Sequence, residues 1–268
     1  MKTFQAAFRS IYEPELAKYG FKKLKTKYPY YGKMVGDEIV HLISYTSKMG
    51  TIPGWKAFEI VSGVAMVYRG EINLNINAKD NTWLIRNSRI FGKNHMFDEE
   101  MYDSGFEYRK DDEDGMIKAI SDSIEPAKRM ALPALNEATG LKECLDYFEK
   151  YVGNTKIYNN RDFGAEMNGD SEGLLYFICY DYEGYMKQQK RLWEEHLNSW
   201  KYSYEHNRTG FTKEGFLGFI DELTEGKNES DKEVFNMYND KECMKRMAEE
   251  LERRKQANIQ ALKGYNFF

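Results

Sequence analysis

The stretch that most constrains the fold runs from Lys56 to Arg69, Lys-Ala-Phe-Glu-Ile-Val-Ser-Gly-Val-Ala-Met-Val-Tyr-Arg. It is rich in β-branched and aromatic side chains and is bounded by charges, the composition of a strand. With a period of two, Phe58, Ile60, Val64, Met66 and Tyr68 share one face, and Ala57, Val61, Ala65 and Val67 share the other. Both faces are apolar through the middle, so this strand is expected at the centre of a sheet, covered on both sides. Gly63 interrupts the run. Either a ligand comes close there or the sheet bends at a bulge, the commoner cause.

The flanking segments read as an antiparallel meander. Tyr28–Val35 is predicted as a strand, Gly36-Asp37 as a turn and Glu38–Lys48 as the hairpin partner. In that partner Ile39, His41, Ile43 and Tyr45 alternate with Val40, Leu42 and Ser44. Met49–Trp55, with Gly50, Pro53 and Gly54, reads as a loop. Glu71–Asn77 alternates polar and apolar residues strictly. It predicts another half-buried strand, or a continuation of the first beyond a bend at Gly70. Trp83–Ile85 and Ser88–Phe91 supply one more. Ahead of the sheet, Phe4, Ala7, Phe8, Ile11, Tyr12 and Leu16 mark one buried face of a helix over 2–19, which Pro14 should break or kink. Gly20 then has the place of a left-handed cap, with Phe21 positioned to touch Leu16.

The rest of the chain reads as helical. Residues 92–115, interrupted by Gly92, Gly105 and Gly115, form a long loop or a pair of short elements. They hold two acidic clusters, Asp98-Glu99-Glu100 and Asp111-Asp112-Glu113-Asp114. A helix capped by Asp114 is predicted from Met116, kinked or divided by Pro126 and Pro133, and a short one over Leu141–Val152. Tyr158–Asp170 reads as a loop. Leu174–Tyr180 fits a strand or a helix. Helix is preferred because Tyr185, Met186, Gln189, Trp193, His196, Leu197 and Trp200 continue at helical spacing after a turn near Gly184. Phe211–Leu223 is a further short helix behind Thr212, and Ser230-Asp231-Lys232-Glu233 has the form of a capping box opening the last helix. The expected class is α+β. An N-terminal helix packs on an antiparallel β-meander in residues 1–115. An α-helical C-terminal half follows, 116–268, packed on the sheet or forming a second lobe.

With 268 residues the chain is long enough for one large domain or two modest ones. No apolar run approaches the ~20 residues that span a bilayer, and Gln5 and Arg9 stand where a secretory signal needs its apolar core. Cys144, Cys179 and Cys243 are odd in number and far apart, which disfavours a disulfide framework and suits a reducing cytoplasm. The net charge of −4 argues against nucleic-acid binding by a broad basic surface. The Lys22–Lys27 basic run reads as a solvated connector rather than a phosphate site.

Motifs that carry chemistry are missing. The chain has no Cys-x-x-Cys, His-Glu-x-x-His, phosphate-binding loop, Gly-x-Ser-x-Gly or Gly-x-Gly-x-x-Gly. A calcium loop before Gly115 would place Lys110 and Ser121 where carboxylates are needed. No catalytic residue, metal or cofactor is therefore assigned. Of the histidines, His41 sits among core residues and His196 between Trp193 and Trp200, positions that suit packing better than acid–base work. Two places have a functional reading. Trp55, in a Pro-Gly loop beside the central strand, is either a partner anchor or a lid on the core. The acidic residues Asp111, Asp112 and Asp114 either steer a basic partner or are merely solvated.

Tyr19-Gly20-Phe21-Lys22-Lys23, Tyr30-Tyr31, Gly36-Asp37-Glu38-Ile39-Val40 and the long strand at Phe58 resemble domain-of-unknown-function family 4304, a bacterial group. The likeness covers residues 1–150. It is a pattern of helix and hairpin, and the organising strand departs from it in having less Asn and Gly. The resemblance implies no activity; some bacterial families of this build look like immunity or accessory proteins that bind another protein. The leading expectation is a cytoplasmic bacterial protein that binds a protein partner without catalysis, through Trp55, Asp111, Asp112 and Asp114. The alternative is an enzyme or small-ligand binder with a site between sheet and helical half, near His41 and Gly63. The Met- and aromatic-rich C-terminal helices could also pair between two copies of the chain.

Overall fold

The computed structural model describes residues 3–50, 52–68, 72–76, 85–90, 105–152 and 171–268. The chain divides into two compact units, Met1–Val152 with Arg254–Phe268, and Gly153–Arg253. The first contains the whole sheet. The boundary expected near residue 115 falls inside it, because the helices that follow pack on the sheet. The loop expected over Tyr158–Asp170, the acidic cluster Asp98-Glu99-Glu100 and Trp83-Leu84 lie outside the described residues.

Helix α1 spans Phe4–Ala17 and is capped by Thr3, whose hydroxyl accepts from the Ala6 amide. Pro14 lies inside it without dividing it. Gly20, at φ 82°, ends the segment: its amide donates to Ala17 and the Phe21 amide to Leu16, the paired bonds of a Schellman cap. The sheet then runs β1 (Lys22–Lys23), β2 (Tyr31–Val35), β3 (Ile39–Met49), β4 (Trp55–Met66) and β5 (Ile85–Ile90), each antiparallel to its neighbour. The fold class is α+β, as its residue pattern requires.

A sixth strand, β6 (Phe106–Arg109), pairs with β4 from Trp55 to Phe58, on the edge that β5 occupies from Ile60 to Val64. Between Val61 and Gly63 the β4–β5 register shifts, so Gly63 sits at a bulge. Residues 72–76, expected as a strand, are not in the ladder. Ile72 and Leu74 are buried as the alternation demands, but their amides donate to the Asn258 side chain and the Tyr265 hydroxyl.

One face of β3 and β4 carries Tyr45 and Phe58, and α1 covers it with Phe4 and Phe8. Behind β6, α2 (Glu113–Asp122), α3 (Ile124–Leu135) and α4 (Leu141–Val152) follow. The break between α2 and α3 falls at Ser123 rather than at a proline; its buried hydroxyl bonds Tyr12 at 2.6 Å. Lys128 on α3 reaches Glu15 on α1 at 2.7 Å.

The opposite face receives the last residues of the chain. Phe267 packs on Gly32 so closely that a Cβ there would overlap its ring. Asn258 donates to the Val67 carbonyl at 2.7 Å and accepts from Ile72 at 3.0 Å. Lys255 bonds Asp37 at 2.8 Å. The central strand pair is thus sandwiched, as two apolar faces demand.

The second unit holds α5 (Ser171–Glu205), α6 (Lys213–Asn239) and the first part of α7 (Lys241–Gly264). Residues 174–180 are helical, as preferred from their spacing. The turn expected near Gly184 is a kink at Asp181, φ 52°, whose carboxylate accepts the Gly184 amide. Thr212 caps α6, which continues through Ser230–Glu233; those residues open no helix. The break comes at Asp240, whose carboxylate accepts the amides of Glu242 and Cys243. Among the described residues no helix is long and apolar enough to cross a membrane.

Candidate partner-binding cleft

At one end of the sheet unit, where β3 turns into β4, the start of α1 and the end of β6 come together. The turn is held by local bonds: the Trp55 amide donates to Ile52, and the Lys110 amide donates to Gly54. Gly50 lies against Trp55, where a Cβ would approach the Trp55 backbone carbon to 2.6 Å. Glycine is required there by the close approach.

These elements enclose an open cleft of about 1010 Å³. Its floor is aromatic. The Phe4 ring lies 4.8 Å from Tyr45, 4.9 Å from Phe58 and 5.7 Å from Tyr108, tilted or offset as aromatic quadrupoles favour. Its mouth is apolar and wet: Met49 is 92% exposed, Ile52 37% and Trp55 36%. Burial pushes the Tyr45 hydroxyl up to about 12, partly offset by a hydrogen bond with Gln5, and raises Tyr108 as well. Both phenols therefore stay protonated at neutral pH and can donate.

The lining includes Lys48 and Lys56 but, among the described residues, no Asp or Glu. Lys48 is ion-paired with Glu59, a carboxylate only 2% exposed in the middle of β4. Glu59 also lies 3.5 Å from the Thr46 hydroxyl. Sequence reading passed over Glu59, although a glutamate between Phe58 and Ile60 in an apolar strand is itself the signal of a buried, partnered charge.

The structure brings Trp55 and the acidic turn close in the chain fold, since Trp55 pairs with Arg109 and Asp111 follows two residues on. It separates their roles. Asp112, not Asp114, caps α2, its Oδ1 accepting the Gly115 amide at 2.8 Å. Asp111 and Asp114 point to solvent, and none of the three lines the cleft. His41 and Gly63 lie at neighbouring rungs of the β3–β4 ladder, His41 opposite Val64 and Gly63 opposite Leu42. His41 is buried, its Nε2 2.7 Å from the Ala138 carbonyl, and burial holds its pKa below the usual histidine value. That geometry is a satisfied core histidine. Among the described residues no group of His, Cys, Asp and Glu is placed to hold a metal ion.

In comparisons with known proteins, the chain matches no family model, no curated protein and no solved structure.

Proposed function

We propose that the chain acts by binding another protein, and that the cleft beside Trp55 is where the partner docks. The observation that supports this is the exposed trio Met49, Ile52 and Trp55 at the mouth of a cleft whose floor is aromatic. Isolated apolar residues on a surface need no explanation, but three exposed ones lining a single concave cleft with an aromatic floor have the anatomy of an interface hot spot. The rim rises from the end of the β3–β4 pair, and its exposed side chains are ordered only when a partner covers them. The partner side chains complementary to it are apolar or aromatic. The exposed carboxylates of Asp111 and Asp114, on the neighbouring turn, act at the periphery, where they affect the rate of encounter more than the final affinity.

The test is capture from lysate of the native organism with four immobilised proteins: the unaltered chain, Trp55→Ala, Met49→Glu and Asp111→Asn with Asp114→Asn. One stoichiometric protein retained by the unaltered chain and by the Asp variant, but lost from Trp55→Ala and Met49→Glu, is the expected pattern. Equal retention on all four would remove the cleft from the account.

A further inference from the structure

Resting on that reading of the cleft, we propose that it receives the C-terminal end of the partner chain, an apolar last residue whose free carboxylate meets Lys56 and the start of α1. Three features of the cleft support a carboxylate. Lys56 is exposed and has no ion-pair partner among the described residues, and no acidic residue lines the cleft with it. Helix α1 begins in the cleft wall at Thr3, Phe4 and Gln5, and its first turn holds no acidic residue to offset the positive end of the helix dipole. The protonated phenols of Tyr45 and Tyr108 add donors beside the aromatic floor.

The same cleft also demands an apolar group, because its floor is Phe4, Tyr45 and Tyr108 and its mouth Met49, Ile52 and Trp55. Within a polypeptide, an apolar side chain and a carboxylate share one α-carbon only at the C-terminal residue. Aspartate and glutamate supply the charge without the apolar body, and an internal leucine or phenylalanine supplies the body without the charge. Capture of chain ends by oriented donors is an established way of reading a peptide. A volume of about 1010 Å³ is enough for the last few residues.

The experiment titrates the full chain, by calorimetry, with two acetylated hexapeptide pools. Both end in Phe, Trp, Leu or Ile, with the preceding positions varied among Ala, Ser and Gly; one pool carries a free carboxylate and the other a C-terminal amide. N-acetylphenylalanine is the third ligand. The acid pool should bind at least tenfold more tightly than the amide pool. Lys56→Met should weaken the acid pool about tenfold, as loss of one charge-assisted contact does, and leave the amide pool unchanged. Trp55→Ala should weaken both.

Equal affinity for the two pools, or no effect of Lys56→Met, overturns the carboxylate and leaves an uncharged segment as the occupant. N-acetylphenylalanine binding as tightly as the acid pool overturns the chain end in favour of a free small acid. Failure of both pools to bind at millimolar concentration also overturns the proposal. The docking of a protein at the cleft is decided separately, by whether Trp55→Ala loses its captured partner.

Discussion

Replacing Asn258 by alanine tests how the second face of the sheet is held. Its side chain serves as a short strand substitute, giving its amide N–H to the Val67 carbonyl and taking the Ile72 amide N–H. Asn258 is 2% exposed, Val67 0% and Ile72 3%, so water cannot readily replace either bond. Each orphaned buried backbone group costs about 1–3 kcal/mol. Two of them, with no new packing gained, put the loss at roughly 2–6 kcal/mol, centred near 3–4. For a unit of this size an m-value of about 2 kcal/mol/M in urea converts 3 kcal/mol into a midpoint shift of about 1.5 M. Because the chain has two compact units, a single spectroscopic transition would mix them. The assay is therefore hydrogen exchange of β3 and β4 amides against urea, read by mass spectrometry. Asn258→Asp keeps the acceptor for Ile72 but sets an oxygen against the Val67 carbonyl, and should be at least as damaging. A shift below about 0.3 M for Asn258→Ala would refute the clip.

Other consequences are equally direct. Gly32→Ala should destabilise the sheet unit by about 1–3 kcal/mol, because its Cβ overlaps the Phe267 ring; combining it with Phe267→Leu should recover part of the loss in urea midpoint. Asp112→Ala should cost about 1 kcal/mol through loss of the α2 cap, whereas Asp114→Ala should stay within about 0.5 kcal/mol, as surface substitutions do. Burial holds His41 and His196 below the ordinary 6.5. The unfolded chain therefore binds more protons than the folded one below that pH, and stability should be full above about 6.5 and fall on acidification. Midpoints measured at pH 7.5 and 5.5 should show the drop, and His41→Phe should flatten the part that belongs to the sheet unit.

Much of the framework was legible in residues close together in the chain. The Gly20–Phe21 cap, the Gly36-Asp37 turn and the β3–β4 pair follow from local spacing and period. What was not legible depends on distant partners. The alternation at Ile72 and Leu74 announced burial correctly but named the wrong partner, because their amides bond Asn258 and Tyr265, 186 and 191 residues away. The four residues of β6, Phe106-Glu107-Tyr108-Arg109, do alternate aromatic and charged, but so short a run inside a Gly-interrupted polar stretch does not mark a strand by itself; pairing with Trp55–Phe58 makes them one. The Ser230–Glu233 capping box was misleading because a capping pattern inside a helix costs little when nothing breaks the chain, and Lys227 and Asp231 bond across it at 2.6 Å. In the cleft, Trp55 stood out as a loop tryptophan. Phe4, Lys56 and Tyr108 did not, since only the β4–β6 register and the position of α1 bring them together.

The most direct measurement is photo-crosslinking in cells of the native organism, with a benzoylphenylalanine placed at Met49 in one protein and at Phe235, an exposed aromatic of the helical unit, in another. One discrete protein adduct is expected from position 49, abolished by Trp55→Ala, and none of that species from position 235. An adduct from position 235 with none from position 49 would contradict docking at the cleft.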